Sequence, residues 1–456
     1  MVFGRENETK ALQKLYEKKV NEAVVFYGNK ENQVTDIVKD FIKNKEFFYY
    51  DALPVSEECQ LEKLYCDISS ELPRQQQIED KSYSAILQAM LDVKCEKRII
   101  VISNFQNIIK TSSEFMPEII KCLNNKWSNQ SVLFILVSEN PYWVEKQMVE
   151  KIGESAYELS GLIKVNDLPF IDFVRYFNNF SLEDLVKVYS ILGGRNNYIY
   201  EWNINESVEK NIENKILSKG SYLFEKGLHI LPEELREPTV YNTLLYTIAS
   251  GKEKLNDIHK ATGYSRAKIS VYLNNLIDFD LIEKIDSFDS PGRENARKGI
   301  YRIKDRFTAF YYKYVFSHIS ELSFLSKEKF YKKYIESDII SYSADSFRLV
   351  CVEYLSLLNR MNKLSYSFGE FGCWIGKVGN IDIVAEDKDG NNLIGLCNWE
   401  NETMTYEDYE WLTFCVKQAK LSGDVYYLFS RNNFDDRLKE EAKINDNIYL
   451  IDSTML

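Results

Sequence analysis

The chain has 456 residues, with 69 acidic against 57 basic side chains and a formal net charge of -12. That balance excludes a protein that coats nucleic acid over its whole surface, while permitting a local basic face. The length asks for about two to four domains, and the low counts of proline (8) and glycine (19) favour compact, helix-rich domains over long disordered linkers.

Hydrophobic residues at 45% and charged residues at 28% are ordinary for a soluble globular protein. Eight cysteines are present, none in a C-x-x-C pair, and the chain has three histidines. This argues against a zinc site and for free core thiols in a reducing compartment. The opening "MVFGRENETK" lacks the apolar stretch of a signal peptide. No apolar run reaches the roughly 18 residues of a membrane span. The expectation is a cytoplasmic protein with no membrane partner.

The first ~165 residues alternate short apolar runs with helical patterns, as a parallel α/β sheet requires. Val24–Tyr27, Phe47–Tyr50, Ile99–Ile102 and Val132–Val137 are the runs. The last two are nearly continuous, as strands covered on both faces should be. After the first run, Val34, Ile37, Val38, Phe41 and Ile42 share one helical face. The strand, loop and helix of "VVFYGNKENQVTDIVKDF" therefore have the order of a phosphate-binding loop. In the frame G-x-x-x-x-G-K-[ST], Gly28 and Thr35 match, Gln33 replaces the second glycine, and Val34 replaces the lysine. Lys30 lies within the loop beside Glu31 and reads as a solvated side chain.

From about Pro169 to Arg236 the β-type runs disappear and helical stretches dominate, interrupted by "LGGRNNY" at Leu192–Tyr198. The next segment reads as three helices followed by two short strands around a turn-rich loop, the order of a winged helix-turn-helix. Its third helix is placed at about Ser265–Ile277, with Ser265 as N-cap and Ile269, Leu273, Leu276 and Ile277 as the buried stripe. That leaves Arg266, Lys268, Ser270, Tyr272 and Asn275 as candidate groove-facing residues. Arg293, Arg297 and Lys298 of the wing are candidates for phosphate contacts. Double-stranded DNA is the candidate partner. Asp278, Asp280, Glu283, Asp286 and Asp289 nearby suit a protein partner instead. From about Ile319, helices precede strands at Ile381–Ala385, Leu393–Cys397 and Tyr426–Phe429.

Several stretches, in this order, resemble an archaeal-type ATPase family of AAA/STAND-like P-loop proteins. "VFGREN" at Val2–Asn7 resembles the family's F-x-G-R-E opening, and "RIIVISNFQNI" at Arg98–Ile108 its Walker B stretch. "LEDLVKVYSILGGRNNYI" at Leu182–Ile199 is similar to its lid segment. "REPTVYNTLLYTIASG" and "YRIKDRFTAFYYKYVF" resemble the two ends of its winged-helix domain. "FGCWIGKVGNIDIVAEDKDGNNLIGLCNWE" at Phe371–Glu400 resembles its C-terminal domain of the PD-(D/E)xK nuclease type. The resemblance implies a P-loop ATPase-like α/β domain over 1–165 and a helical lid over 166–235. It further implies a winged helix over 236–318 and an α/β nuclease-like domain over 319–456.

The departures carry chemistry. The Walker B acids fall on Ser103 and Asn104, neither of which can organise magnesium or polarise water. In the nuclease-like segment Asp382 keeps the position of one metal-binding acid. Leu396 and Asn398 replace the glutamate and the lysine, and Arg348 stands where a further glutamate belongs. The reading is a pseudo-ATPase acting as a binding or regulatory module, with no catalytic residue, no metal site and no cofactor. ATP with magnesium is expected to bind weakly or not at all. The alternatives are a weakly active ATP-dependent switch and a structural protein–protein scaffold.

Overall fold

The computed structural model describes residues 2–73, 78, 80–93, 95–125, 131–289 and 299–456. The chain divides into two units, Met1–Leu168 with Arg195–Asn197, and Pro169–Gly194 with Tyr198–Leu456. In the first unit the apolar runs become strands β1 (Glu22–Gly28), β2 (Phe47–Asp51), β3 (Lys97–Ser103) and β4 (Ser131–Ser138). A fifth strand, β5 (Gly161–Val165), was not expected from the sequence. All pair in parallel in the order β2-β3-β4-β1-β5. β1, β3 and β4 are buried throughout, because helices cover both faces.

The two-residue period of a strand divides those side chains between two cores. Val25, Ile100, Ile102, Phe134 and Leu136 pack on one face with the segments around Leu64, Leu87, Phe115 and Trp143. Val24, Phe26, Ile99, Val101, Leu133 and Ile135 face helices α1 (Glu6–Glu17) and α2 (Val34–Ile42). On α2, Val34, Ile37, Val38, Phe41 and Ile42 are all buried, as their spacing predicts.

The "FGRE" stretch closes this unit. Arg5 is only 2% exposed. Its Nε and Nη2 donate to Asn196 Oδ1 at 2.9 and 2.6 Å, and its Nη1 donates to the Asn166 carbonyl at 2.6 Å. Asn196 Nδ2 in turn donates to the Phe3 carbonyl at 3.0 Å. A buried guanidinium is tolerated only when its donors are matched in this way.

The second unit begins with α3 (Phe170–Tyr176) and α4 (Leu182–Leu192). Helices α5 (Pro238–Ala249), α6 (Leu255–Thr262) and α7 (Arg266–Asp278) follow, then the antiparallel pair β6 (Ile282–Asp286) and β7 (Gly299–Ile303). This is the winged helix-turn-helix order. Beyond it runs the long helix α8 (Ile339–Arg360), whose Glu353 carboxylate accepts from the Phe170 and Ile171 amides at 2.8 and 2.9 Å.

The C-terminal sheet contains β8 (Gly372–Ile375), β9 (Asn380–Glu386), β10 (Asn392–Asn398), β12 (Val425–Ser430) and β14 (Ile448–Asp452). The short strands β11 (Thr403–Met404) and β13 (Asn433–Phe434) pair separately. β10, β12 and β14 are parallel, and β9 and β8 extend the sheet antiparallel. Helix α9 (Tyr406–Ala419) covers one face with Leu412, Cys415 and Val416, and opens with a capping box between Thr405 and Asp408. Trp399 anchors the end of β10 to α8. Its ring stacks on Phe347 at 4.5 Å, and its Nε1 donates to Ser343 Oγ at 2.8 Å. Among the described residues no helix is long and apolar enough to cross a membrane.

Candidate functional site

In an open parallel sheet, ligands bind beyond the carboxyl ends of the strands, where the strand order reverses. Here that point lies between β1 and β4. Thr35, in the first turn of α2, reaches it from one side. Glu139, just after β4, reaches it from the other. The Thr35 hydroxyl donates to Glu139 Oε1 at 2.7 Å. Glu139 was not singled out in the sequence; its signal is an acid directly following a continuous apolar strand.

The loop between β1 and α2 is closed on itself. Lys30–Asn32 form a single 3-10 turn. The Glu31 amide donates to Asn29 Oδ1 at 3.1 Å, the Asn32 amide to the Asn29 carbonyl at 2.9 Å, and the Gln33 amide to the Lys30 carbonyl at 3.1 Å. The amides of Glu31, Asn32 and Gln33 are therefore engaged within the loop.

Two polar side chains turn inward beneath it. Glu31 is 3% exposed and Asn32 1%. Asn32 Nδ2 donates to Asp167 Oδ1 at 2.9 Å, and Asn197 Nδ2 donates to Glu31 Oε2 at 3.1 Å. Lys30 is exposed. Gln33 takes the left-handed conformation, φ 56° and ψ 40°, which favours the glycine it replaces. Val34 is wholly buried. Gly28 is retained for packing: a Cβ there would stand 2.6 Å from the Val165 carbonyl oxygen and 3.1 Å from a Val34 methyl.

The Walker B positions likewise serve the backbone. Ser103 ends β3 and is buried. Asn104 has φ 52°, a left-handed turn that asparagine tolerates better than most residues. Its Nδ2 donates to Asp51 Oδ1 at 2.8 Å, and its Oδ1 accepts from Gln106 at 3.3 Å. Magnesium and a nucleotide polyphosphate do not fit this set. A buried carboxylate lies in the loop, three of its amides are occupied, and a valine methyl group takes the place of an ammonium.

In the C-terminal sheet, Asp382 Oδ2 accepts from the Cys397 amide at 2.9 Å. Burial pushes the Asp382 carboxyl above its ordinary range, while the Cys397 amide and the Arg348 charge hold it back. Arg348 pairs with Asp345 at 3.3 Å. Asn398 Oδ1 accepts from the Asn401 amide at 3.2 Å. No cluster of three or more metal-ligating side chains occurs among the described residues.

On α7, Ser265 accepts from the Lys268 amide at 3.3 Å, which caps the helix. Arg266 is exposed and its Nε donates to Asn256 at 3.0 Å. The Lys268 ammonium lies between the rings of Tyr264 and Tyr272, at 5.0 and 5.4 Å. Ser270 is half-buried, and Val271, at 58% exposure, faces outward beside it. Tyr272 and Asn275 turn toward α5: Tyr272 donates to Glu237 just before it, and Asn275 Nδ2 donates to the Tyr241 hydroxyl at 2.8 Å. Ile269, Leu273 and Leu276 are buried and Ile277 only half-buried. Arg293, Arg297 and Lys298 lie outside the described residues.

The parallel sheet with helices on both faces has a P-loop ATPase-like fold. The fold is similar to that of a Walker-type ATPase of Pyrococcus abyssi, with a TM-score of 0.50 at 14% identity, covering 68% of this chain and 96% of that one. The ORC2 protein of Aeropyrum pernix gives a TM-score of 0.44 at 11% identity, covering 70% and 94%. Residues 311–410 match the DUF234 family, described as archaeal and bacterial proteins of unknown function. An uncharacterized protein of Methanocaldococcus jannaschii is 26% identical over 404 residues, 88% of each chain.

Proposed function

We propose that this chain is a pseudo-ATPase, a P-loop fold that has kept its architecture and lost phosphoryl-transfer chemistry, and that acts as a binding module. The observation that carries this reading is the buried Glu31 carboxylate, bonded to Asn197, in a loop that bonds the amides of Glu31, Asn32 and Gln33 internally. A nucleotide would have to expel that carboxylate and break the loop's own hydrogen bonds. It would gain no lysine and no Walker B acid in return. Phosphoryl transfer depends on placed charge, with each such group contributing on the order of a few kcal/mol. Losing three leaves turnover negligible. Calorimetric titration with ATP and magnesium tests the reading.

The surface proposed to bind is the winged helix, with double-stranded DNA as its partner. Support comes from the exposed Arg266, from Lys268, and from the basic wing residues Arg293, Arg297 and Lys298. Tyr272 and Asn275, engaged with the Glu237–Tyr241 segment, support the position of α7 rather than reading bases. A mobility-shift assay over a salt series tests this reading, since phosphate contacts weaken steeply as salt rises. Capture of a stoichiometric protein with no retention on DNA would favour the scaffold reading.

A further inference from the structure

The second unit contains a cavity lined by arginine and lysine side chains. Its volume is about 220 Å³, and it lies among the end of α5, β7, the short helix Arg306–Phe310 and α8. Arg302, Arg306 and Lys313 line it, facing the carboxylates of Glu253 and Asp345.

The charges are networked. Arg302 pairs with Glu253 at 3.3 Å and also with Asp345. Arg306 Nη1 donates to Asp345 Oδ2 at 2.8 Å, Arg348 reaches the same carboxylate, and Lys313 pairs with Asp338 at 2.6 Å. Asp382 also lies within electrostatic reach of Arg348 and Arg302, so four cations meet four carboxylates. Three guanidinium groups share Asp345. Burial alone would raise that carboxyl, yet Arg306, Arg302 and Arg348 more than offset burial and hold it well below the usual range.

Arg306 is the informative member. A guanidinium carries five N–H donors in a planar fork. One hydrogen bond from the Arg306 side chain goes to Asp345, and no other joins it to a described residue. The side chain is 14% exposed, so bulk water reaches little of it, and it lines the cavity. The fork therefore presents to the cavity donors beyond the one that Asp345 takes. Spare guanidinium donors favour a compact anion, and arginine forks match the geometry of tetrahedral oxyanions.

We propose that this cavity binds one phosphate group, held by Arg306 with Arg302 and Lys313. The size admits inorganic phosphate or the phosphate end of a small ester. Because Arg302 sits on the wing strand β7 and Asp345 on α8, an occupant would engage the same side chains that tie those elements together.

The test is calorimetric titration of the full chain in chloride-poor buffer with inorganic phosphate, with glycerol 3-phosphate, and with acetate. The proposal expects one saturable site per chain for a phosphate. Arg306→Gln should weaken it at least tenfold and Lys313→Gln severalfold, with circular dichroism unchanged, and Lys30→Gln should leave it intact. Tighter binding of glycerol 3-phosphate would identify an ester as the ligand, and equal affinity would identify the free anion. Absence of saturable binding, equal binding of acetate, loss in Lys30→Gln, or full binding in both Arg306→Gln and Lys313→Gln would overturn it.

Discussion

Asn197 Nδ2 donates to Glu31 Oε2 at 3.1 Å, joining residues 166 positions apart beneath the loop that follows β1. Arg5 holds the neighbouring Asn196, so the "GGRNNY" segment is pinned at two successive residues. A loop buttressed in this way carries its own buried carboxylate where the sequence aligns with a phosphate-binding loop. Three predictions follow from that arrangement and from the two other sites.

Restoring the missing lysine alone should not restore nucleotide binding. Val34 is fully buried against Gly28 and the β1 core, so Val34→Lys places a charge in an apolar space. We expect it to cost about 2 kcal/mol or more and to add no ATP affinity. Gly28→Ala should cost about 1–3 kcal/mol by crowding Val165. Chemical denaturation of the full chain measures both. A stable Val34→Lys protein that binds ATP would mean that the loop opens readily.

For the winged helix, Arg266→Gln should weaken DNA binding at all sequences and flatten the salt dependence by about one phosphate contact. Tyr272→Phe should leave DNA affinity unchanged but lower thermal stability, because its hydroxyl is engaged by Glu237. Mobility shifts at several salt concentrations, paired with thermal melts, separate the two. Loss of DNA binding in Tyr272→Phe with an unchanged melt would instead place that hydroxyl on the nucleic acid.

Asp382 supplies a pH test. Burial raises its folded pKa above the ordinary value of about 3.9. The folded chain therefore holds this proton more tightly than the unfolded chain does. The cost of the charged form is present in full above the folded value and is relieved as pH falls through it. Asp382→Asn keeps an acceptor for the Cys397 amide. It should leave stability at pH 7 unchanged or raised, with any gain shrinking as pH falls below the folded value. Thermal melts across that range check this. A magnesium-dependent rise in melting temperature that disappears in Asp382→Asn would instead make it a metal ligand.

What the sequence revealed was local. Continuous apolar runs gave β1, β3 and β4, and a helical stripe gave α2, because burial on both faces or on one imposes those patterns. β5 escaped notice: "GLIKV" is an edge strand with Leu162 at 53% exposure, so its pattern is diluted. The absent lysine and acids were readable residue by residue. Glu139 was not, since only the parallel crossing of β1 and β4 brings it to Thr35 across 104 positions. The same limit applies to α7. Periodicity identified Ile269, Leu273 and Leu276 as its inner stripe, yet it could not show that Tyr272 and Asn275 bond to Glu237 and Tyr241.

The most direct measurement is calorimetric titration of the full chain with ATP and magnesium at physiological salt, with single-turnover hydrolysis followed in parallel. The account predicts no saturable heat at micromolar ATP and no hydrolysis above background, in the natural chain and in Lys30→Gln alike. Micromolar affinity for ATP in the natural chain would contradict it, because the Glu31 carboxylate and the internally bonded loop would then have to give way to phosphate.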